Sequence, residues 1–290
     1  MKKIQPALPV LNDSGSPTKG DIRDFQDTIY GHYRTHNRRF PWRNTTDPYH
    51  ILVSEIMLQQ TQTERVLGYY SPFIRQFPDF CTLAGALLKD VLEHWQGLGY
   101  NRRAINLKKT AEMVMALYQG KLPESPDELI RLPGIGAATA GAIMAFAFNK
   151  SVVFIETNIR RVFIHVFFQD RQGIRDKEVL PIVKDTLDKD NPRQWYYALM
   201  DYGAMLKKNV SNPNRRSAHY TRQASFEGSN RQIRGMIIRH LLTRHNIHEQ
   251  ELIDLLDRDP ERTRKILLRL EGEGFLVIAE SMVTWRDHVL

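Results

Sequence analysis

Cysteine is almost missing from this 290-residue chain, where Cys81 stands alone. A single thiol closes no intramolecular disulfide and supplies no Cys₂ or Cys₄ metal site. Cys81 is expected to be a small core residue. Long apolar runs are missing too, and none approaches the ~20 residues that a bilayer-spanning helix needs. The N-terminus is basic, but Pro6, Pro9 and the polar stretch 12–20 leave no room after it for a signal-peptide core. Residues 1–20 read as a flexible arm. A monomer is expected, cytoplasmic and away from membranes (nucleoid-associated if the chain is bacterial). Internal repeats and long low-complexity tracts are absent. Acidic residues are outnumbered, giving a net charge of +8. That balance points toward a polyanion, although charge alone does not decide it.

Helical periodicity fills most of the chain. Residues 21–38 place Ile22, Phe25, Ile29 and Tyr33 on one stripe. Pro48 opens a second helix, in which Tyr49, Leu52, Val53, Ile56 and Met57 form the apolar face. Glu55 falls beside that face, with Gln59 and Gln62 on its side. A carboxyl at an apolar margin is partly desolvated, as a general acid requires, yet the same spacing suits a solvated surface glutamate. Further helices are predicted over 63–76, 83–89, 91–96, 102–119, 126–132, 157–168, 177–187 and 194–208. Residues 97–101 form a turn with Tyr100 at its tip. No multi-strand pattern occurs through residue 225.

The segment Leu132-Pro133-Gly134-Ile135-Gly136 separates two helices. Pro133 ends the first. Gly134 and Gly136 can take positive φ, so the chain can turn tightly before a helix over 137–148. Such a helix start presents bare N–H groups suited to a phosphate, though an ordinary helix–helix turn looks the same. Glu156 comes next, between an apolar run and a new helix whose dipole favours the ionised carboxylate.

Residues 209–228 read as a basic linker containing Arg215, Arg216, His219 and Arg222. Helices over 231–243, 249–256 and 260–273 and a hairpin over 275–278 and 282–285 then fit a winged-helix-like module, 229–290. Its third helix carries Arg262, Arg264, Lys265 and Arg269, for DNA or for a protein partner.

Several motifs occur in order: Pro41-Trp42-Arg43, Asp47-Pro48-Tyr49, Ser54-Glu55-Ile56-Met57-Leu58-Gln59-Gln60-Thr61-Gln62, Trp95-Gln96-Gly97-Leu98-Gly99-Tyr100, Leu132-Pro133-Gly134-Ile135-Gly136, Thr139-Ala140-Gly141-Ala142-Ile143 and Ala198-Leu199-Met200-Asp201-Tyr202-Gly203-Ala204-Met205. Together they resemble the helix-hairpin-helix DNA glycosylases of the endonuclease III superfamily, and within it most resemble the A/G-specific adenine glycosylases. The resemblance implies an all-α, two-lobed domain over 21–225, with lobe one at about 43–155 and lobe two at 21–42 plus 156–208. A nucleotide of double-stranded DNA would be flipped into a cleft between the lobes. Glu55 falls on the catalytic glutamate and Glu156 on the catalytic aspartate. Gln60 falls on a wedging glutamine and Tyr100 on an intercalating tyrosine. Gln59, Leu132, Gly134, Gly136 and Thr139 complete the implied DNA contacts.

Four departures qualify the resemblance. Glu156 replaces the family's aspartate, one methylene longer. Ala138 stands where strand-cutting members carry a nucleophilic lysine, so a monofunctional enzyme is expected. Residues 206–220 lack the four cysteines of the family's iron–sulfur cluster, so no metal or cofactor is expected, and Arg215 and Arg216 are expected to contact DNA instead. The tail does not resemble the family's β-rich 8-oxoguanine-reading domain. The expected activity is excision of a mismatched or damaged base, adenine opposite guanine or 8-oxoguanine. The alternatives are thymine or uracil excision at guanine mismatches, or DNA binding without catalysis.

Overall fold

The structure, a computed structural model, describes residues 16–222, 225–244 and 246–286. Residues 1–15 of the expected arm, 223–224 of the expected linker and the last four residues of the tail lie outside the described residues. The helices are α1 (Lys19–His36), α2 (Pro48–Leu58), α3 (Thr63–Gln76), α4 (Phe80–Gly85), α5 (Leu88–Trp95), α6 (Arg102–Tyr118), α7 (Pro126–Arg131), α8 (Ala137–Phe146), α9 (Thr157–Phe167), α10 (Asp176–Thr186) and α11 (Pro192–Asn209). After them come α12 (Asn230–Arg244), β1 (Asn246–His248), α13 (Glu249–Leu256), α14 (Pro260–Gly272), β2 (Leu276–Ala279) and β3 (Met282–Trp285). No helix among the described residues is long and apolar enough to cross a membrane. Contacts divide the chain into two units. The first holds residues up to 51 with 124–130 and 135–222, and the second holds 52–123, 131–134 and the chain from 223 onward.

In the first unit α1 starts two residues earlier than its sequence pattern suggests. Thr18 and Asp21 form a capping box, in which Thr18 Oγ1 accepts from the Asp21 amide and the Asp21 carboxylate accepts from the Thr18 amide. The stripe of α1 buries Phe25 and Ile29. The Phe25 ring meets Phe163, Phe167 and Trp195 edge-on, so α1 closes over α9 and α11. Asp201 on α11 is fully buried and accepts from the Arg38 amide and Nε (2.9 and 2.6 Å) and from both Arg43 terminal nitrogens (2.9 Å each). Burial alone would raise this carboxyl. The hydrogen bonds and charges of Arg43 and Arg38 hold it below its ordinary value. After α11 the chain folds back on α9. Asn214 donates to the Thr157 carbonyl, and Arg216 donates to the carbonyls of Ile164 and Phe168 at the C-terminal end of α9. Arg216, expected among the DNA contacts, is therefore spent as a helix clamp.

In the second unit α4 and α5 pack on α6, and α3 on α5, around Phe73, Leu83, Val91, Trp95 and Leu107. The helix expected over 83–89 is broken. Asp79 caps α4 through the Thr82 amide at 2.7 Å, and Ala86 and Leu87 are extended. Alanine and leucine favour helix locally, but Leu83 and Leu88 must reach the core from two differently directed segments. Cys81 is exposed, contrary to its expected core role, because α4 turns Phe80 and Leu83 inward and leaves the opposite side to solvent. Toward the C-terminus three helices carry an antiparallel sheet of order β1-β3-β2. The sequence pattern shows only the hairpin. The extra strand is three residues long and pairs Ile247 with Val283.

Candidate functional site

Helix α2 buries Tyr49, Leu52, Val53, Ile56 and Met57, and Glu55 is half-buried at the margin of that face. The helix ends at Leu58, and the glutamine loop begins one turn beyond Glu55. Within the loop Gln60 has φ +55°. In the glycine-containing turn after α5, Tyr100 has φ +49°. Left-handed backbone costs a non-glycine residue roughly 1–2 kcal/mol. Both residues that the family resemblance makes wedges are therefore held in strained backbone, which persists only where the surroundings over-determine it.

Arg103 supplies that constraint. Its Nη1 donates to the carbonyls of Ile56, Met57 and Gln59 (2.9, 2.6 and 2.6 Å). Its Nη2 donates to Thr61 Oγ1 and to the carbonyls of Leu98 and Gly99 (2.9, 3.5 and 3.0 Å). One buried guanidinium thus closes the C-terminal end of α2, fixes the glutamine loop and fixes the tyrosine turn. It also lies over the rings of Trp95 and Tyr100. Burial lowers its pKa to about 10, against the pull of Tyr100, and it remains a cation at neutral pH. Sequence reasoning missed Arg103. One signal was available, because Arg102 and Arg103 open α6 with no acidic residue in its first turn, against the helix dipole.

Gln59 turns the other way. Its side-chain Nε2 donates to the Gly134 carbonyl at 3.0 Å, and Thr110 Oγ1 donates to the Pro133 carbonyl at 3.0 Å. The glycine turn is thereby tied to the glutamine loop. Gly134 has φ +79°, and a Cβ there would lie 2.9 Å from Asn106 Cβ. Gly136 does not use positive φ as expected. It is extended (φ −94°) because it serves as the N-cap of α8, and no side chain caps that helix start. Gly136, Ala137 and Ala138 are exposed and Thr139 is half-buried, so the first turn of α8 presents its amides outward. The Leu132 side chain is buried, 2% exposed, and anchors the turn from the core side.

Gln59, Gln60 and Tyr100 line one groove of about 980 Å³ in the second unit. Glu156 belongs to the first unit. It is the N-cap of α9, where Oε1 accepts from the amides of Asn158 and Ile159 (2.7 and 2.8 Å) and Oε2 from Asn158 Nδ2 (3.2 Å). Burial pushes its carboxyl above the ordinary value, against the two amide donors and the charges of Arg161 and Arg160. Arg161 in turn ties α9 to α11 by donating to Asn158 Oδ1 and the Gly203 carbonyl (2.6 and 2.8 Å). No cluster of His, Cys, Asp and Glu among the described residues could hold a metal ion.

Comparison with known proteins identifies the family of the chain. Residues 53–186 match the HhH-GPD superfamily base excision DNA repair protein family. An adenine DNA glycosylase from Buchnera aphidicola subsp. Baizongia pistaciae is 38% identical over 187 residues, covering 63% of this chain and 52% of that protein. The adenine DNA glycosylase of Mycolicibacterium smegmatis is 34% identical over 226 residues, covering 72% of this chain and 76% of its own length. The chain spans about half the length of the Buchnera relatives it matches. Among solved structures, a thermostable thymine-DNA glycosylase superposes with a TM-score of 0.57 at 27% identity, over 63% of this chain and 86% of that one. By these matches and by its helical fold, the chain belongs to the HhH-GPD superfamily of base excision DNA repair proteins.

Proposed function

We propose that this chain is a monofunctional DNA glycosylase that excises adenine mispaired with guanine or 8-oxoguanine. The observation that carries the reading is the pair Gln60 and Tyr100. Two side chains able to enter a base stack are held in strained backbone on one groove, and Gln60 lies in the loop that follows the helix of the half-buried Glu55. A glycosidic bond inside a duplex is out of reach, and a flipped nucleotide leaves a gap that such side chains fill at a cost of a few kcal/mol. The adenine DNA glycosylase relatives favour adenine as the base.

Hydrolysis passes through an oxocarbenium-like state. Glu55, at the margin of an apolar face, protonates the leaving purine and then accepts a proton from the water that attacks the sugar. Glu156, its carboxylate fixed by two backbone amides, serves as the standing anion that stabilises the sugar cation. The exposed first turn of α8 takes a backbone phosphate. Ala138 has no amine for Schiff-base chemistry, so strand cleavage is not part of the reaction. The single cysteine leaves the family's iron–sulfur cluster without ligands, and the enzyme works without it.

The test is single-turnover excision on duplexes carrying A:8-oxoG, A:G, T:G and U:G, with alkali added afterwards to reveal base-free sites. Excision is expected on the adenine pairs, and Glu55→Gln should abolish it. Equal activity of that variant would refute the role of Glu55. A second reading, thymine opposite guanine, draws on the similarity to the thymine-DNA glycosylase. Cleavage of T:G alone would select it, as would a smaller loss in Glu55→Gln, since a pyrimidine has no N7 to protonate.

A further inference from the structure

We propose that α12, and not the arginine-bearing α14, is the DNA-contacting element of the C-terminal module. The groove it shares with the glutamine loop binds the sugar–phosphate backbone of the substrate duplex, with an unstacked base against Phe226. The proposal rests on the glycosylase reading for the identity of the polyanion.

The groove has two walls. Gln60 and Tyr100 lie on one, and Phe226 with α12 on the other. The α12 wall carries Arg231, Arg234 and Arg239, and Arg65 faces the groove from α3. The one acidic side chain lining it among the described residues, Glu273, is neutralised by Arg234 at 2.6 Å. Arg65 and Arg239 are exposed and leave the groove strongly positive, as a phosphate backbone requires. Three of the four cations of α14 are engaged elsewhere, and the exposed Arg269 does not line the groove. Arg262 donates to Asn230 Oδ1 and the Gly228 carbonyl, Arg264 pairs with Glu249 at 2.7 Å, and Lys265 pairs with Glu261 at 2.8 Å.

Three details give the groove its direction. Arg231 donates to the Tyr100 hydroxyl at 2.8 Å and lies over its ring, so α12 is joined to the tyrosine turn. Gly235 sits in the middle of α12 on the groove wall, and a Cβ there would meet nothing within 4 Å. Glycine weakens a helix interior, and no neighbour here demands it. What it provides is a stretch of wall without a side chain, where another backbone can approach. Phe226 is 59% exposed beside these arginines. An apolar ring on a basic groove is the usual platform for an unpaired base.

The experiment uses the full chain and a labelled duplex bearing a tetrahydrofuran abasic site opposite guanine, titrated over a salt series. Arg239→Gln should weaken binding about tenfold and flatten the salt dependence by about 0.9 in slope, one phosphate contact. Gly235→Trp should weaken it by more than tenfold. Gly235→Ala should melt about 1–3 °C higher than wild type, because helix propensity improves and the methyl has room. Phe226→Ala should weaken binding about tenfold. Arg264→Gln and Lys265→Gln should change neither affinity nor slope. Unchanged binding in both Arg239→Gln and Gly235→Trp would overturn the proposal, as would weakening by the α14 variants alone. Excision is followed in parallel. A wild-type protein that binds but excises nothing would sink the enzymatic reading while the binding data still decide the groove.

Discussion

Replacing Arg103 with lysine keeps the charge and removes the fork. The guanidinium serves six acceptors, five of them backbone carbonyls. The four terminal N–H groups share these acceptors, whereas the three N–H groups of an ammonium radiate from one point that cannot serve the glutamine loop and the tyrosine turn together, so about three acceptors lose their charged partner. At about 1.5 kcal/mol each, the low end for a charged hydrogen bond, that is roughly 4–5 kcal/mol. About 2 kcal/mol returns when Gln60 and Tyr100 relax out of left-handed backbone. The net loss is about 2–3 kcal/mol, or a melting temperature lowered by roughly 5–10 °C for a protein of this size. The two wedges lose their fixed positions together, while no phosphate contact is removed. Single-turnover excision from a mismatched duplex is therefore expected to fall at least about tenfold, with affinity for undamaged duplex within about twofold of wild type. Thermal melting, rapid-quench excision and a binding titration measure the three quantities. If Arg103→Lys melts within 1 °C of wild type and excises at the same rate, the assignment of Arg103 as the residue positioning both wedges is wrong.

Other perturbations probe the first unit. Burial raises the Glu156 carboxyl above its ordinary 4.5, so the standing anion forms only at higher pH. The rate should show an acidic limb above pH 4.5, and Glu156→Gln, which keeps the capping carbonyl oxygen but not the charge, should be slow at every pH. The sign for stability is opposite to the usual carboxylate. Between 4.5 and the raised value the folded state holds the extra proton, so this group's stabilisation is present at low pH and fades as pH rises through the folded pKa. Asp201 works the other way, since its lowered pKa stabilises above the unfolded value of 3.8 and is lost in acid. Asp201→Asn, which leaves the buried Arg43 without its counter-ion, should cost about 3–5 kcal/mol in a urea titration. At Gly203 a Cβ would lie 2.5 Å from the Asn158 carbonyl oxygen. Gly203→Ala must therefore displace the start of α9 that Glu156 caps, and excision should fall more than stability. A fully active variant would show that the position of α9 does not matter to the chemistry.

The placement of several candidate residues on their elements was legible in the sequence because those signals are local. Glu55 and Gln59 are placed on one side of a helix by periodicity, whereas Gln60 is singled out only by the family resemblance. Glu156 could be placed at a helix start because an apolar run ends there and an amphipathic one begins. The features that stayed hidden depend on partners distant in sequence. Left-handed backbone at Gln60 and Tyr100 has no marker, since neither is a glycine, and Arg103 imposes it through carbonyls that look alike in every sequence. Gly134 and Gly136 have the same local freedom, yet only Gly134 uses it, because Gly136 is committed as a helix cap. Arg216 looked available for DNA until the end of α9 was seen to claim it. Ala86, Leu87 and Cys81 were misjudged for a related reason. A short helix capped by Asp79 decides which faces turn inward there, and propensity alone predicts a longer one.

The ion pair between Arg38 and Asp201 also has a consequence for synthesis. Its partners are separated by 163 residues, and a ribosome adds about 5–20 residues per second. Phe25 and Ile29 therefore emerge on the order of 10–30 s before the helix that covers them has been made. Throughout that interval the nascent chain carries an uncovered apolar stripe. The first unit cannot close until translation has passed α11.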